Sequence, residues 1–480
     1  MGMKVIPFLI LLSLLLVLLL SCSEEKQESL QFASCGDGTC DAIEIKKGLC
    51  PEDCGKTDVQ TSSKDTSLYT AGQSFVTFIH SQGIGNIAVQ VTLPEKSRYN
   101  EGAPILVHTS TFFTPKEPVF DTAFTDVTKL GFVHVTYLWP GKSDPSGAQS
   151  DGTYDYGGED SLQSLRDVIR FASGQIPNAN ENYIYELSAV PLLINNVGLY
   201  AFSHPGIAAT NVLALYGDQL SVAYFVGREN PTISMLSAME LGYWDGKTPV
   251  LNSDYSYPED YSSDALSLDY SSVLWDEETS VPYFDFNDNG IADDPDFIHG
   301  SQIPSMYGKD VYSSELLQAL VDNNALSLDD WPSNLTTPSD ARELWDFRQT
   351  ITNYPKLSTT PDLHVLLVFA EQDHVQPLSD KPHIHQAYDG FTTAGLWVRL
   401  NPDSAYVRSL NSVLTTPDHD ANTEPEDWSA IEDWAHSHTM GGTVFVPLAA
   451  VAEMADRTYM NNWDENLDAV LVEYDAGDLS

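Results

Sequence analysis

The sequence predicts an α/β protein in which a mainly parallel sheet carries helices on both faces. Short apolar runs of strand length alternate along the chain with segments of helical periodicity. Strand, crossover helix and strand in succession are typical of a parallel sheet that is covered on both sides. Strands are predicted at residues 87–93, 104–108, 131–137, 197–202, 363–369 and 396–400, and helices at 159–172, 207–215 and 446–457.

Composition and charge narrow the class of protein. The 480 residues include 69 Asp and Glu against 23 Lys and Arg, so the formal net charge is −46. Phosphate backbones are bound by clustered Lys and Arg, which excludes nucleic acid as a natural partner. The same charge argues against electrostatic docking on anionic lipid. Hydrophobic residues make up 42% of the chain, enough for a large core.

The N-terminal segment predicts export. Residues 1–4 supply a short positive region, and residues 5–20 are apolar apart from Pro7 and Ser13, which is short for a membrane span and typical of a signal peptide. The sequence Leu-Leu-Ser-Cys ending at Cys22 resembles the lipobox of prokaryotic lipoproteins. That resemblance implies cleavage after residue 21, lipidation of Cys22 and anchoring to the outer face of the cell membrane or envelope, with residues 23–34 as a tether. The alternative, an ordinary N-terminal anchor with a chance cysteine, also exports the rest.

Four further cysteines cluster within residues 35–54, and the 426 residues after them contain none. In an exported protein such an even set predicts two disulfides, with zinc ligation as the weaker alternative. The pattern CGxGxC…CPxDC resembles a small module of secreted prokaryotic proteins, and its acidic side chains are either solvated or share a calcium ion. A polar linker is predicted at residues 55–68. The cysteines are Cys35, Cys40, Cys50 and Cys54.

A nucleophilic serine is predicted at Ser203, where a strand runs directly into an apolar helical stretch. A strand, a serine at a sharp turn and a helix form the context of a nucleophile elbow. The consensus G-x-S-x-G is not met, because Ala201 and Pro205 hold the two glycine positions and Gly206 follows. A proline two residues after the serine is tolerable, since it would lie in the first turn of the helix, where no intrahelical donor is lost.

The turn after the predicted strand 363–369 supplies an acid, Asp373, in a form close to G-x-x-D-x-x-x-P. The order Ser203, Asp373 and a late histidine resembles that of the α/β-hydrolases, over residues 69–480. Within that superfamily the chain is similar to the dienelactone-hydrolase and prolyl-peptidase-like branch. The resemblance implies core segments at 69–230 and 361–480, with a lid inserted at 231–360.

Three histidines qualify by position as the base that would activate the serine. Histidine is the usual base, because its pKa lies near neutrality. By the resemblance it lies between the last strand and the closing helix, where His419 and His438 both qualify, as does His436. His374 and His383 are more distant alternatives. If none of them serves, the triad is incomplete.

The resemblance also implies an oxyanion hole formed by two backbone N–H groups. One belongs to His204, directly after the serine. The other lies in the loop after the strand at 104–108, at Thr109 or Ser110. Such donors stabilise the charge that develops on the substrate oxygen.

A twelve-residue loop at residues 285–296 has the oxygen spacing of a calcium site. Gly290 occupies position 6, where the chain turns sharply. We expect a structural calcium ion, with an acidic turn without ion as the alternative, and we expect no organic cofactor. The predicted ligands are Asp285, Asn287, Asn289, the carbonyl of Ile291, Asp293 and Asp296.

Three functional hypotheses follow. The first is a surface-tethered serine hydrolase that acts on a small ester or peptide substrate. The second is a catalytically inactive surface binding protein on the same scaffold, supported by Ala201, Pro205 and the ambiguous histidine. The third is a calcium-organised adhesion or assembly component. Fold alone does not decide among them.

Overall fold

The computed structural model describes the greater part of the chain beyond residue 67. The described residues belong to the second of the two units into which the chain divides, residues 66–480. The predicted signal peptide, tether and cysteine module and most of the predicted linker lie outside the described residues, as does every cysteine. The described residues are 68–110, 120, 127–245, 248–259, 261, 267–298, 309–360, 362–369, 376–403, 405–406, 409, 445–463, 472 and 474.

An eight-stranded sheet forms the centre of the second unit. Its order is β1-β2-β4-β3-β5-β6-β12-β13. β2 pairs antiparallel with both β1 and β4, and the remaining neighbours are parallel. Its strands are β1 (Ser74–Ser81), β2 (Gly85–Thr92), β3 (Ala103–His108), β4 (Val133–Tyr137), β5 (Leu192–Phe202), β6 (Tyr224–Arg228), β12 (His364–Val368) and β13 (Trp397–Leu400).

Helices lie along this sheet and enclose its core. The main ones are α1 (Glu159–Ala172), α3 (Pro205–Tyr216), α7 (Pro382–Thr393) and α8 (Phe445–Met460), and α2 (Ile184–Leu187) is a single turn. α1 packs against α3, and α8 lies across β5, β6 and β12. The strand order and the crossover helices define the α/β-hydrolase fold, which confirms the predicted fold class.

The predicted strands and helices of the core are present, but no range was predicted for β1, β6 or α7, and β5 starts earlier than predicted. β1 was not predicted, although its side chains alternate between exposed and buried in the manner of an edge strand. β5 starts at Leu192, five residues before the predicted strand, because Asn195 and Asn196 separate its apolar, incompletely buried start from the buried run that begins at Val197.

Residues 231–360 form an insertion between β6 and β12, the sixth and seventh strands of the main sheet. This insertion has a hydrophobic cluster of its own, which includes Phe284, Leu316 and Trp345. Its elements are α4 (Met235–Leu241), β7 (Gly242–Trp244), β8 (Pro249–Leu251), β9 (Val273–Asp276), β10 (Val281–Phe284), β11 (Phe297–Ile298), α5 (Ser314–Asp322) and α6 (Pro338–Phe347). Short 3₁₀ helices lie at Val127–Leu130, Gly217–Gln219, Leu328–Asp330 and Tyr354–Thr359.

Buried charges attach α8 to the segment before β3. Arg98 donates to both carboxylate oxygens of Asp456, at 2.7 and 2.8 Å, and Tyr99 donates to the same carboxylate at 2.7 Å. Such pairs compensate one another's desolvation, so removal of one partner is expected to cost about 3–5 kcal/mol. The closing helix is therefore fixed at its C-terminal half.

No helix within the described part of the chain has both the length and the apolar character that a membrane crossing requires.

Candidate active site

Ser203 occupies the turn between β5 and α3, at the carboxyl end of a central parallel strand. Its φ angle is +59°, in the left-handed region that a non-glycine residue enters at a cost of about 1–3 kcal/mol. The side chain is half-buried, whereas its neighbours Ala201 and His204 are buried. A strained serine at this position in the strand order is the local geometry of a nucleophile elbow.

Hydrogen bonds to the end of β6 hold this turn. The Ser203 N–H donates to the carbonyl of Arg228 at 2.8 Å, and the Ser203 carbonyl accepts from Nδ2 of Asn230 at 2.8 Å. The same carbonyl also accepts from the N–H of Gly206, the second residue of α3, at 2.9 Å. Both backbone polar groups of Ser203 are therefore satisfied in the strained conformation.

The departures from G-x-S-x-G have local explanations in the structure. Ala201 pairs with Gly227 across β5 and β6, so its methyl group lies beside a residue without a side chain. Pro205 is the first residue of α3, where a missing N–H removes no helical hydrogen bond. Gly206 provides the close approach, because a Cβ atom there would lie 2.0 Å from Cγ of Asn230.

His204 directly precedes α3 and is buried. Burial, and secondarily the charge of Arg348, lowers the pKa of its imidazole to about 3. The side chain is therefore neutral at physiological pH. Its backbone N–H lies at the N-terminal end of α3, where the helix dipole favours developing negative charge.

Thr109 and Ser110 follow β3 and are both buried, but the structure distinguishes them. The Thr109 N–H donates to the carbonyl of Tyr200 at 2.9 Å, so it is engaged in the sheet. Ser110 is fixed through other atoms: its hydroxyl donates to the Tyr137 carbonyl at 2.5 Å, and its carbonyl accepts from Trp139 Nε1 at 3.0 Å. Of the two backbone N–H groups, that of Thr109 is therefore already used within the sheet.

Asp373, His419 and His438 lie outside the described residues. The strands that precede them are described, and they end on the same edge of the sheet as β5, because β5, β6, β12 and β13 are parallel. The ends of β12 and β13 are joined where Asn401 Oδ1 accepts from the Phe369 N–H at 3.0 Å. The segments with the acid and the histidines therefore both start at the serine's edge.

A buried pair that the sequence did not predict lies beside this edge. His383, near the start of α7, approaches Oε2 of Glu229 through its Nε2 at 3.0 Å, and both side chains are almost fully buried. Glu229 directly follows β6 and has a φ of +45°. The sequence did not point to Glu229, because no strand was predicted before it and its partner lies 154 residues away along the chain.

The insertion contacts the core close to His204. The Arg348 guanidinium donates to the carbonyls of Asp155 and Tyr156, at 2.5 and 3.0 Å, in the loop that leads to α1. The Arg348 side chain also borders a cavity of about 460 Å³ within the insertion. Its positive charge contributes to lowering the pKa of His204. The cavity is also lined by Lys309, Val311, Thr336, Asp340, Glu343 and Leu344.

The predicted calcium loop connects β10 and β11, with strands rather than helices at its ends. The carboxylate of Asp285 accepts from the N–H groups of Asn289 and Gly290, at 3.1 and 2.7 Å. Asn287 and Asn289 turn their Nδ2 atoms toward Asp293, so binding an ion would require both amides to rotate. Among the described residues no group of three or more His, Cys, Asp or Glu is arranged to hold a metal. The donor types suit a hard cation.

Comparison with known proteins relates the chain to solved structures only. No protein-family model and no curated protein matches it. Dipeptidyl peptidase 4 of Porphyromonas gingivalis is 10% identical over 69% of this chain and 31% of its own, with a TM-score of 0.35. The Pyrococcus horikoshii acylaminoacyl peptidase is 11% identical over 68% of this chain and 36% of its own, with a TM-score of 0.34. A Rhizomucor miehei esterase is 12% identical over 86% of this chain and 91% of its own, with a TM-score of 0.36. The chain spans about a third of the length of these two peptidases.

Proposed function

We propose that the protein is a serine hydrolase that cleaves an ester or peptide bond, with Ser203 as nucleophile. The observation that carries this proposal is the φ of +59° at Ser203, at the turn from β5 into α3. A strained serine at the carboxyl edge of a parallel sheet directs its hydroxyl away from the sheet. The adjacent helix N-terminus favours the negative charge of an acyl-transfer intermediate.

The reaction would proceed through an acyl-enzyme. Ser203 Oγ attacks the substrate carbonyl while His419 or His438 takes its proton and Asp373 orients that histidine. The backbone N–H groups of His204 and Ser110 stabilise the oxyanion. The histidine then protonates the leaving alcohol or amine, and water releases the acyl group by the same route.

The insertion is proposed to act as the lid that selects the substrate. Its support is the position of Arg348, which joins the insertion to the loop before α1 and borders the 460 Å³ cavity. Charged residues of both signs line that cavity: Lys309 and Arg348, and Asp340 and Glu343. A polar ester or a short peptide suits such a lining better than a long aliphatic chain.

Further parts of the proposal concern residues that support the fold and the location. We propose that the loop at 285–296 holds a structural calcium ion and that the four cysteines at 35–54 form two disulfides. Lipidation of Cys22 would anchor the protein to the outer face of the cell membrane or envelope. None of these features takes part in the chemical step.

The alternative, an inactive binding protein, rests on the two missing glycines of the motif and on the lack of an unambiguous catalytic histidine. Gly206 and Asn230 weigh against it, because they supply the close approach and the hydrogen bonds that keep Ser203 in its strained conformation. A decayed elbow would have no need of that strain.

Turnover of small substrates tests the proposal. The full chain, with calcium present, is assayed on p-nitrophenyl esters of short acyl chains and on aminoacyl p-nitroanilides, beside Ser203→Ala. We expect hydrolysis that is lost by about 10³-fold or more in the variant. Separate His419→Ala, His438→Ala and Asp373→Asn variants then locate the base and the acid. Equal rates for the folded wild type and Ser203→Ala would favour the binding protein.

A further inference from the structure

Asn230, two residues beyond the end of β6, binds the whole serine turn through one side-chain nitrogen. Its Nδ2 lies 3.2 Å from the carbonyl oxygen of Ala201, 2.8 Å from that of Ser203 and 2.9 Å from that of Arg228. One side-chain amide therefore connects the C-terminal end of β5, Ser203 and the C-terminal end of β6. An amide nitrogen, with two hydrogens and no acceptor capacity, suits a site formed by carbonyl oxygens.

The bonds around Ser203 form a closed ring. The Arg228 carbonyl accepts both from the Ser203 N–H, at 2.8 Å, and from Asn230 Nδ2, while the Ser203 carbonyl accepts from the same Nδ2. The N–H and carbonyl of Ser203 are thus both fixed to the β6 end. That fixes the two peptide planes that flank the strained φ, and with them the direction of the side chain.

Two glycines make room for this amide. A Cβ atom on Gly206 would lie 2.0 Å from Asn230 Cγ, and one on Gly227 would lie 2.4 Å from Asn230 Oδ1. Contacts this short do not occur between real side chains, so Asn230 and the two glycines depend on one another. The three positions come from α3, β6 and the loop after β6, which no local motif links.

We propose that Asn230 is a positioning residue that holds Ser203 in the left-handed conformation from which its hydroxyl can attack a substrate. This inference rests on the proposed serine hydrolase function. Asn230 touches no reacting atom, and it acts through the backbone of Ser203.

The test compares Asn230→Asp with wild type in the full chain. It measures the second-order rate constant of fluorophosphonate labelling, and kcat and KM for hydrolysis of a p-nitrophenyl ester of a short acyl chain. Aspartate keeps the volume but places a second oxygen against three carbonyl oxygens. We expect labelling and kcat to fall by about 100-fold, since a displacement of about 1 Å at the reacting atom has that effect. KM is expected to stay within about threefold, because substrate contacts are unchanged.

Asn323→Asp is the matched control. Asn323 also donates through Nδ2 to two backbone carbonyls, those of Tyr270 and Val273, both at 2.9 Å, but it lies in the insertion. We expect this variant to lose thermal stability while its labelling rate stays within about twofold of wild type. A purely structural role of Asn230 would instead reduce labelling in both variants in proportion to their lost stability, and that outcome would overturn the proposal.

Gly206→Ala and Asn230→Ala provide a second test, which also serves if Asn230→Asp does not fold. Each single change should slow labelling: Gly206→Ala because its methyl group displaces the Asn230 amide, and Asn230→Ala because it removes that amide. In the double variant the losses should not add, because both act on one contact. Additive losses, or a folded Asn230→Ala that labels within about twofold of wild type, would contradict the inference. If the wild type itself does not label, the serine hydrolase proposal fails, and the positioning role fails with it.

Discussion

The hydroxyl of Tyr255, in the insertion, donates a hydrogen bond of 2.5 Å to the buried carboxylate of Asp380. Tyr261 donates to the same oxygen at 2.8 Å and stacks on His385 of α7. Asp380 lies between the segment that carries Asp373 and α7. The insertion is therefore joined to the core through the carboxylate of Asp380, in the segment between β12 and α7.

Loss of both tyrosine hydroxyls should destabilise this junction in a pH-dependent way. Burial raises the pKa of Asp380, and the two hydroxyls counteract that rise. In Tyr255→Phe/Tyr261→Phe the pKa should rise further, so the folded state would favour the protonated acid. The stability of the variant relative to wild type should therefore fall as the pH rises above the pKa of Asp380 in the folded wild type, which is already raised, and level off above the higher pKa of the variant.

Thermal unfolding at about pH 4.5 and pH 8 measures that difference, which should exceed about 2 kcal/mol at the higher pH. Tyr257→Phe is the control, since its hydroxyl bonds Ser379 at an exposed position. Equal destabilisation at both pH values would contradict the role given to Asp380.

A second buried carboxyl, that of Glu240 in α4, should make the stability of the protein decrease as the pH rises from about 4.5 to about 8. It is fully buried and accepts from Tyr270 and Ser313, at 2.8 and 2.9 Å. Burial raises its pKa to about 8, and the hydrogen bonds oppose that rise. The unfolded chain loses this proton near pH 4.5, whereas the folded chain keeps it until about pH 8. Stability should therefore decline between these values and level off above them.

Glu240→Gln keeps an acceptor for both hydroxyls and removes the titration. In urea unfolding, the free energy of unfolding of wild type should fall by a few kcal/mol more between about pH 5 and pH 8 than that of Glu240→Gln. The exposed Glu343 serves as control, and Glu343→Gln should follow the wild-type profile. A wild-type slope in Glu240→Gln would show that another group is responsible.

Calcium should raise the melting temperature through the loop at 285–296. Binding to the folded state alone stabilises by about 2.7 kcal/mol when the ion is at 100 times its Kd. Asp285→Asn removes a charged ligand at the first loop position and should abolish most of that gain. Asp288→Asn changes an exposed acid of the same loop that is not a predicted ligand, and it should respond as wild type does. No calcium effect in wild type, or the same effect in Asp285→Asn, would reject the site.

Sequence patterns anticipated the core because its elements have local signals. The run from Val197 to Phe202, the serine and the apolar helix after it are contiguous, so the turn at Ser203 could be located without structure. The strand at the sheet edge, β1, was missed, since half of its residues face solvent.

The supporting contacts of the site could not be predicted. Asn230 is 27 residues from Ser203, and His383 is 154 residues from Glu229. Their meeting depends on how β5, β6 and α7 pack, which no periodicity encodes. Likewise, Thr109 and Ser110 are neighbours with similar side chains, and only the bond from the Thr109 N–H to Tyr200 separates them.

The activation of Ser203 is the central claim, and fluorophosphonate labelling followed by peptide mass spectrometry tests it most directly. The full chain is treated in the presence of calcium, together with Ser203→Ala. We predict one adduct, on the peptide that contains Ser203, and none in the variant. A folded, calcium-loaded protein that takes up no reagent, or that carries the adduct elsewhere, would contradict the assignment of Ser203 as nucleophile.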